Sequence, residues 1–301
     1  MSTRAASTAR EIEGVRVTHP DKKYWPDDGY TKGDLIAFYA AVWERLRPYV
    51  DDRLLSLERC PDGMQGGCFF QKEAPQGLPA DTPTQPIQHA KKVTNYVVGG
   101  KLETQLALAN LGCIAIHVWG SRASAPRQPD WVCFDLDPSS ERFEDAIEAA
   151  VKVREALDAL ELESFPKTSG GKGLHVFVPI KRGPDADEVL AFAETLGRKL
   201  AQAFPKLFTV EARIASRKGR VYLDPFRNGF AQTVVAPYSV RRRPGAPYSK
   251  PLSWKDVKPG LQPGKFTLGN YARDLAKADP WRDFWKTRQA LTRAMGAVKR
   301  L

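Results

Sequence analysis

A chain of 301 residues with 42% hydrophobic and 10% aromatic residues has the composition of a globular protein that buries a sizeable core. No run approaches the roughly 18 apolar residues that a membrane-spanning helix needs, which excludes a helical membrane protein. Lys and Arg number 46 against 35 Asp and Glu, and the net charge of +11 favours a polyanionic partner such as nucleic acid, with a solvated basic surface as the plainer alternative. Cys60, Cys68, Cys113 and Cys133 show no C-x-x-C spacing and are expected to be core thiols in a reducing compartment, which points to the cytoplasm. "MSTRAASTAR" lacks the apolar centre of a secretory signal, so residues 1–10 read as a flexible tail ahead of a single domain over 11–301.

In chain order, residues 15–50 predict a short strand, a Pro/Gly/Asp-rich loop and an amphipathic helix capped by Thr31 or Asp34. "LLSLERCPDGMQGGCFFQK" predicts two strands about a turn marked by "PDG", and "APQGLPADTPTQPIQ" a proline-rich surface loop. A strand, a helix over 102–110 and a strand ending at 117–119 follow. Phe143, Ile147, Val151, Leu157 and Leu160 fall at helical spacing behind a Ser-rich cap, and "DADEVLAFAETLGRKLAQAFP" predicts a second long helix. "GLHVFVPI" and "GRVYLDPF" read as core strands, and the interleaving indicates an α/β (α+β) fold with helices covering a central sheet. The C-terminal part, rich in proline, glycine and cations, is expected to close with a helix whose Trp281, Phe284 and Trp285 pack rather than react.

Within the apolar run "WVCFDLDPSS", strand alternation puts Cys133, Asp135 and Asp137 on one face and Val132, Phe134 and Leu136 on the other. Two ionised carboxylates so placed repel unless one is protonated or a cation lies between them, and an oxygen-loving divalent ion resolves the conflict. The plainer alternative makes Asp137 a helix cap and pairs Asp135 with a lysine. Asp224 ends another apolar strand and repeats the "LDP" pattern; three such aspartates suit two metal ions and an in-line nucleotidyl transfer, although taken singly Asp224 is a turn former. In "KTSGGKGLHVFVPI" the glycines with Ser169 and Lys172 suggest a phosphate-holding loop, and His175 faces the same polar side. It is not a Walker loop, because it lacks G-K-[ST] and runs into a strand; a hairpin turn with a satisfied histidine is its plain alternative.

These three elements, in this order, resemble the signature motifs of the archaeo-eukaryotic primase superfamily. The wider text, "HPDK" with "TK" downstream, "FFQK", "HVW", "FDLDP", "TSGGKGLHV", "APYSVR" and "DPW", is similar to the polymerase domain of bacterial ATP-dependent DNA ligase D over nearly the whole chain after the tail. The resemblance implies a primase-like catalytic core, central β-sheets flanked by helices. It implies that Asp135, Asp137 and Asp224 are catalytic and bind two Mn²⁺ or Mg²⁺ ions, with NTPs or dNTPs as substrates and ribonucleotides preferred. His117, Ser169, Lys172, His175, Arg241 and Arg243 are then expected on the nucleotide, with Arg227 at a position the family varies; Arg242, out of phase, is expected to face solvent.

On the DNA side, His19, Lys22 and Lys32 match positions that recognise a downstream 5′-phosphate, which needs donors and positive charge. Phe69 and Phe70 match a pair that stacks on template bases, and Arg217, Lys218 and Arg220 make a basic approach to the metals. The implied function is a template-directed nucleotidyltransferase that fills gaps and extends ends in bacterial nonhomologous end joining. Its implied partners are gapped DNA ends carrying a 5′-phosphate, the Ku protein and a DNA ligase, and its place is the cytoplasm at the nucleoid. No ligase lysine motif or phosphoesterase segment occurs within these residues, so the expectation is a stand-alone polymerase or an excised domain. A primer-independent primase, a non-catalytic DNA-end-binding protein and a metal-dependent nuclease are the alternatives.

Overall fold

The computed structural model describes residues 10–300. Of the expected tail, residues 1–9 lie outside the described residues, and Arg10 already belongs to a strand. In chain order the elements are β1 (Arg10–Ile12), β2 (Val15–Val17), β3 (Lys23–Trp25), β4 (Tyr30–Thr31), α1 (Lys32–Val50), β5 (Leu55–Arg59), β6 (Phe69–Gln71), β7 (Thr84–Gln88), β8 (Val93–Val97), α2 (Leu102–Asn110) and β9 (Cys113–Trp119). There follow β10 (Trp131–Pro138), α3 (Phe143–Ala159), β11 (Phe165–Thr168), β12 (Leu174–Pro179), α4 (Ala186–Ala203), β13 (Phe208–Thr209), α5 (Ile214–Arg217), β14 (Val221–Asp224), β15 (Thr233–Val235), α6 (Tyr271–Leu275) and α7 (Thr292–Ala297).

The D-x-D strand β10 lies in the middle of a five-stranded sheet of order β11-β12-β10-β14-β13, in which only the β13–β14 pair is parallel. Its alternation divides two cores. Val132, Phe134 and Leu136 pack with Leu174, Val176 and Val178 of β12 and with apolar residues of α3 and α4, among them Ile147, Val153, Val189, Phe192 and Leu196. Trp131 and Cys133 point the other way, into a core built from α1 and from Ile114, Ile116 and Val118 of β9. Each large side chain so buried contributes about 1.5–3 kcal/mol, so the face on which Asp135 and Asp137 emerge is fixed by apolar burial on both sides. The second sheet, of order β15-β9-β5-β6, is antiparallel throughout.

Helix α1 starts where Thr31 forms a capping box: its Oγ1 accepts from Asp34 N at 3.1 Å, and Asp34 Oδ2 accepts from Thr31 N at 2.8 Å. Several local expectations are corrected. Helix α3 has Arg142 at its N-cap without a side-chain cap bond, because Ser140 lies two residues too early and its hydroxyl donates to Asp145 instead. The loop expected around residues 74–88 ends in strand β7. Trp281 and Phe284 stack at 4.8 Å and are buried as expected, but residues 280–287 are consecutive turns, and the last α-helix begins only at Thr292. Cys60 and Cys68 form a disulfide, since the turn between β5 and β6 returns the chain to within 4.4 Å between their Cα atoms; Cys113 and Cys133 are the buried thiols expected.

Candidate active site

Antiparallel register, rather than proximity in sequence, assembles the centre. On β10, Asp135 pairs with His175 of β12 on one side and with Asp224 of β14 on the other. His175 in turn pairs with Lys167 of β11, so Lys167, His175, Asp135 and Asp224 form one row across four strands. Row members share a face of the sheet, which places their polar ends together. Asp135 Oδ1 lies 3.2 Å from His175 Nε2. Arg227, from the turn after β14, sets its Nε 3.0 Å from Asp135 Oδ2 and 3.2 Å from Asp224 Oδ2, bridging the two carboxylates. Asp137 is no helix cap: its Oδ2 accepts from Arg217 Nη1 at 2.7 Å.

The row drives the titration of its members apart. Burial raises the Asp135 carboxyl, but His175 and Arg227 outweigh it and hold the group well below the usual carboxylate range. Asp224 moves up, through burial and the negative charge of Asp135, against the pull of Arg227. Burial, then the positive charge of Lys167, brings His175 down to about 4, so the ring is neutral at pH 7 and donates Nε2–H to Asp135. His117 lies well below its ordinary value, again through burial and then Arg241 and Arg227. Two neighbouring carboxylates held at different proton affinities are the arrangement expected where charge must be managed during a reaction.

A polar cleft of 330 Å³ opens above Asp135 and His175 of the row, and its walls include Asp135, Asp137, His117, Ser169, Lys172, His175, Arg227, Arg241 and Arg243, whereas Asp224 and Lys167 do not line it. All of the expected nucleotide-binding residues therefore meet in one cavity. Gly170 has φ +70°, and a Cβ there would lie 2.5 Å from Arg241 Cγ, so only glycine permits the loop to approach the arginine segment this closely. Arg241 Nη1 donates to Ser169 O at 3.2 Å. Ser169 Oγ accepts from Gly171 N and Gly173 N, both at 3.2 Å, so two amides expected to face a phosphate are satisfied within the loop. Lys172 Nζ reaches Glu141 at 2.5 Å. Arg242, in a turn rather than a strand, donates to Glu58 at 2.9 Å instead of pointing only to solvent.

His117 Nε2, His175 Nδ1 and Arg241 Nε are buried without a hydrogen-bond partner. Unpaired buried polar atoms cost free energy, and three around one cleft mark a cavity shaped for a polar ligand. Among the described residues, no three His, Cys, Asp or Glu side chains close into a metal-ligand set, because Arg217 and Arg227 answer the carboxylates as counter-cations. The donors themselves are all carboxylate oxygens, which fits a hard divalent cation such as Mg²⁺ or Mn²⁺.

The residues expected on DNA divide into groups. Lys32 N donates to Lys22 O at 2.9 Å and Gly33 N to Pro20 O at 2.8 Å, which brings His19, Lys22 and Lys32 to one corner. The Lys32 ammonium is nearly buried and donates to Thr18 O at 2.7 Å, while Lys22 donates to Asp62 at 2.6 Å. Phe69 and Phe70 are 47% and 62% exposed, unlike other ring side chains of the core, and the Phe70 ring lies 5.4 Å from His117 at the edge of the cleft. Of the three cations before Asp224, only Lys218 is exposed; Arg217 is buried against Asp137, and Arg220 Nε folds back onto Arg217 O at 2.8 Å. Sequence reasoning missed Lys167, although a lysine inside the apolar strand text "FPKT" is itself a signal. It is fully buried, and burial brings its amine down to about 7.

Residues 31–281 match the family model of the LigD primase-polymerase domain. The chain is 32% identical over 303 residues to the multifunctional non-homologous end joining protein LigD of Pseudomonas aeruginosa, covering 97% of this chain and 35% of that protein. It is 30% identical over 280 residues to the bifunctional non-homologous end joining protein LigD of Bacillus subtilis, covering 91% of this chain and 45% of that one. The chain thus spans less than half the length of these relatives. Among solved structures, the polymerase domain of Mycobacterium tuberculosis ligase D in complex with DNA superposes with a TM-score of 0.85 at 26% identity, covering 91% of this chain and 99% of that one. With the family model matched over most of the chain's length and the sequence and fold similarities in agreement, the chain belongs to the LigD primase-polymerase domain family.

Proposed function

We propose that this chain is a template-directed nucleotidyltransferase that extends a primer 3′ end at DNA gaps and breaks, in nonhomologous end joining. The observation that carries this is a cleft lined by Asp135, Asp137, His175, Ser169, Lys172, Arg241 and Arg243, with Asp224 paired in register beside Asp135. Carboxylates on the floor and cations on the walls suit a triphosphate whose α-phosphorus must lie over the acids and whose β- and γ-phosphates need positive charge. In the reaction the primer 3′ oxygen bonds to the α-phosphorus and the bond to pyrophosphate breaks.

Asp135, Asp137 and Asp224 would hold two Mn²⁺ or Mg²⁺ ions, which, when bound, supply charge neutralisation at the phosphates and acidify the 3′-hydroxyl. Arg227 orients Asp135 through its hydrogen bond, with His175 3.2 Å from the other oxygen, and Arg217 orients Asp137. Arg241 and Arg243 bind the departing pyrophosphate. His117 lies towards the sugar, where a ribonucleotide preference would be expressed. Phe69 and Phe70 stack on the template, and Lys22 and Lys32 with His19 take the downstream 5′-phosphate. The superposition on a polymerase domain bound to DNA and the end-joining names of the relatives support this assignment. Ku, a ligase and a cytoplasmic, nucleoid-associated place complete the proposal; no helix among the described residues is long and apolar enough to cross a membrane.

The test is extension of a gapped duplex, with and without a 5′-phosphate, in Mn²⁺ and with NTPs or dNTPs. Asp135→Ala is expected to lower extension by at least about a hundredfold, measured on variant protein shown to be folded by circular dichroism. Unchanged extension by that variant overturns the mechanism. Synthesis on single strands without a primer would reassign the chain as a primase, and shortening of a labelled strand without nucleotides would make it a nuclease.

A further inference from the structure

We infer that Lys167 is a positioning residue for the nucleotide triphosphate: through Ser249 it fastens the strand leading into the Ser169–His175 loop to the segment that carries Arg241 and Arg243. This rests on the nucleotide-binding role proposed for that cleft. Strand β11 is an edge of the five-stranded sheet, and residues 249–252 close its free side. Thr168 N donates to Lys250 O and Leu252 N to Pro166 O, both at 2.9 Å, and Lys167 forms a bridge with Pro251. Lys167 Nζ donates to Ser249 Oγ at 2.6 Å, and the same hydroxyl donates to Thr168 O at 2.7 Å.

Ser249 is also tied to the arginine segment. Its N–H donates to Ser239 O at 2.9 Å, and its carbonyl accepts from Tyr238 N at 2.6 Å. Two residues beyond Ser239 lies Arg241, whose Nη1 returns to Ser169 O. A closed circuit therefore runs from Lys167 through Ser249 and Ser239 to Arg241 and back to Ser169, two residues after the start. Its perimeter sets the spacing between the hydroxyl-bearing loop and the cations opposite it. Lys167 and Ser249 are both 0% exposed.

Fold stability alone does not account for a lysine here. Burying an ammonium, or stripping its proton to avoid doing so, costs free energy that the Ser249 hydroxyl and the Phe177 ring, 5.5 Å from the amine, offset only in part; a methionine or leucine of similar size would pack at no such cost. The penalty is understandable where the amine serves a site, and its register neighbour is His175, which holds Asp135. The amine nevertheless reaches Ser249 rather than the cleft wall, so it acts on the nucleotide through the arginine segment and not by contact.

The experiment compares wild type, Lys167→Met, Ser249→Ala and the double variant of the full chain. It measures KM and kcat for NTP on a gapped duplex, affinity for that duplex, and the ratio of NTP to NMP affinity without catalysis. Each single variant is expected to raise KM about tenfold and to shrink the triphosphate-over-monophosphate ratio by a similar factor, with kcat changed less than about threefold and DNA affinity kept. The double variant should be no worse than the worse single one, because both act on one circuit. Unchanged KM, or a matched loss of KM, kcat and DNA affinity with a lower melting temperature, overturns the inference. Ser249→Ala, the smaller change, carries the test if Lys167→Met does not fold. Failure of the wild type itself to bind NTP would overturn the proposed function and this inference with it.

Discussion

Lys32 begins α1, and its ammonium is pressed beneath Thr18 beside Lys22. Burial, then the like charge of Lys22, brings it down from the ordinary 10.5 to about 8. The sign of the consequence differs for stability and for binding. The cost of the buried ammonium is fully present below pH 8 and is relieved towards 10.5, where the unfolded chain still holds a proton that the folded one has lost; stability from this group therefore rises with pH through that window. A 5′-phosphate needs the charged form. The preference for a 5′-phosphorylated over an unphosphorylated gap is expected to fall about threefold to tenfold between pH 7 and pH 9, and Lys32→Gln should flatten the profile. Fluorescence anisotropy across that range checks it, and an unchanged preference in wild type would remove Lys32 from the proposed phosphate site.

At the scale of elements, β6 is a three-residue edge strand that spends two phenylalanines on solvent. An edge strand so exposed and apolar is a liability unless a partner covers it. Phe70→Ala removes little buried area, so the melting temperature should hold, whereas template affinity should drop by about 1–3 kcal/mol, the worth of one stacked base. The same comparison on a duplex with an abasic site opposite the stacking position should show no loss. The loop between β11 and β12 behaves differently. Gly170→Ala meets both a positive φ and the Arg241 side chain, so it should cost about 1–2 kcal/mol in stability and raise the KM for nucleotide as well. Urea titration and steady-state kinetics together separate the two effects.

Across the molecule, the two sheets are joined by an ion cluster whose Arg53–Asp130 pair is buried. Arg53, two residues before β5, donates from Nη1 to Trp119 O at 3.0 Å at the end of β9, pairs with Asp130 directly before β10, and lies 3.5 Å over the Trp131 ring centroid. Arg122 Nε reaches the other Asp130 oxygen at 2.7 Å. One carboxylate thus serves two guanidinium groups at the seam between the sheets. Breaking such a cluster by removing one partner is far costlier than the pair is worth, because it leaves charge buried and unanswered. Asp130→Ala is expected to lower unfolding free energy by about 3–5 kcal/mol, read from the urea midpoint. A loss below about 1 kcal/mol would show that the seam is held by apolar contacts alone.

Periodicity and residue type were enough to put Asp135 and Asp137 on one face, to place α1, α2 and β14, and to make the order of the motifs legible, because each of these depends on residues close together in the chain. Phe69 and Phe70 were legible only through the family resemblance, as a pair expected on template bases. Register was not: that Asp135 stands between His175 and Asp224 depends on how strands separated by dozens of residues align. Nor were the ion partners, since any of 46 cations competes for each carboxylate, and only the packed fold turns Arg217 inwards to Asp137, sets Arg227 between two acids and buries Lys167 against Ser249. The Cys60–Cys68 pairing was hidden for the same reason, because a turn's path in space decides it. Local alternation determined which side chains were available to the site; desolvation and long-range pairing, which exist only once the chain has folded, decided which of them meet.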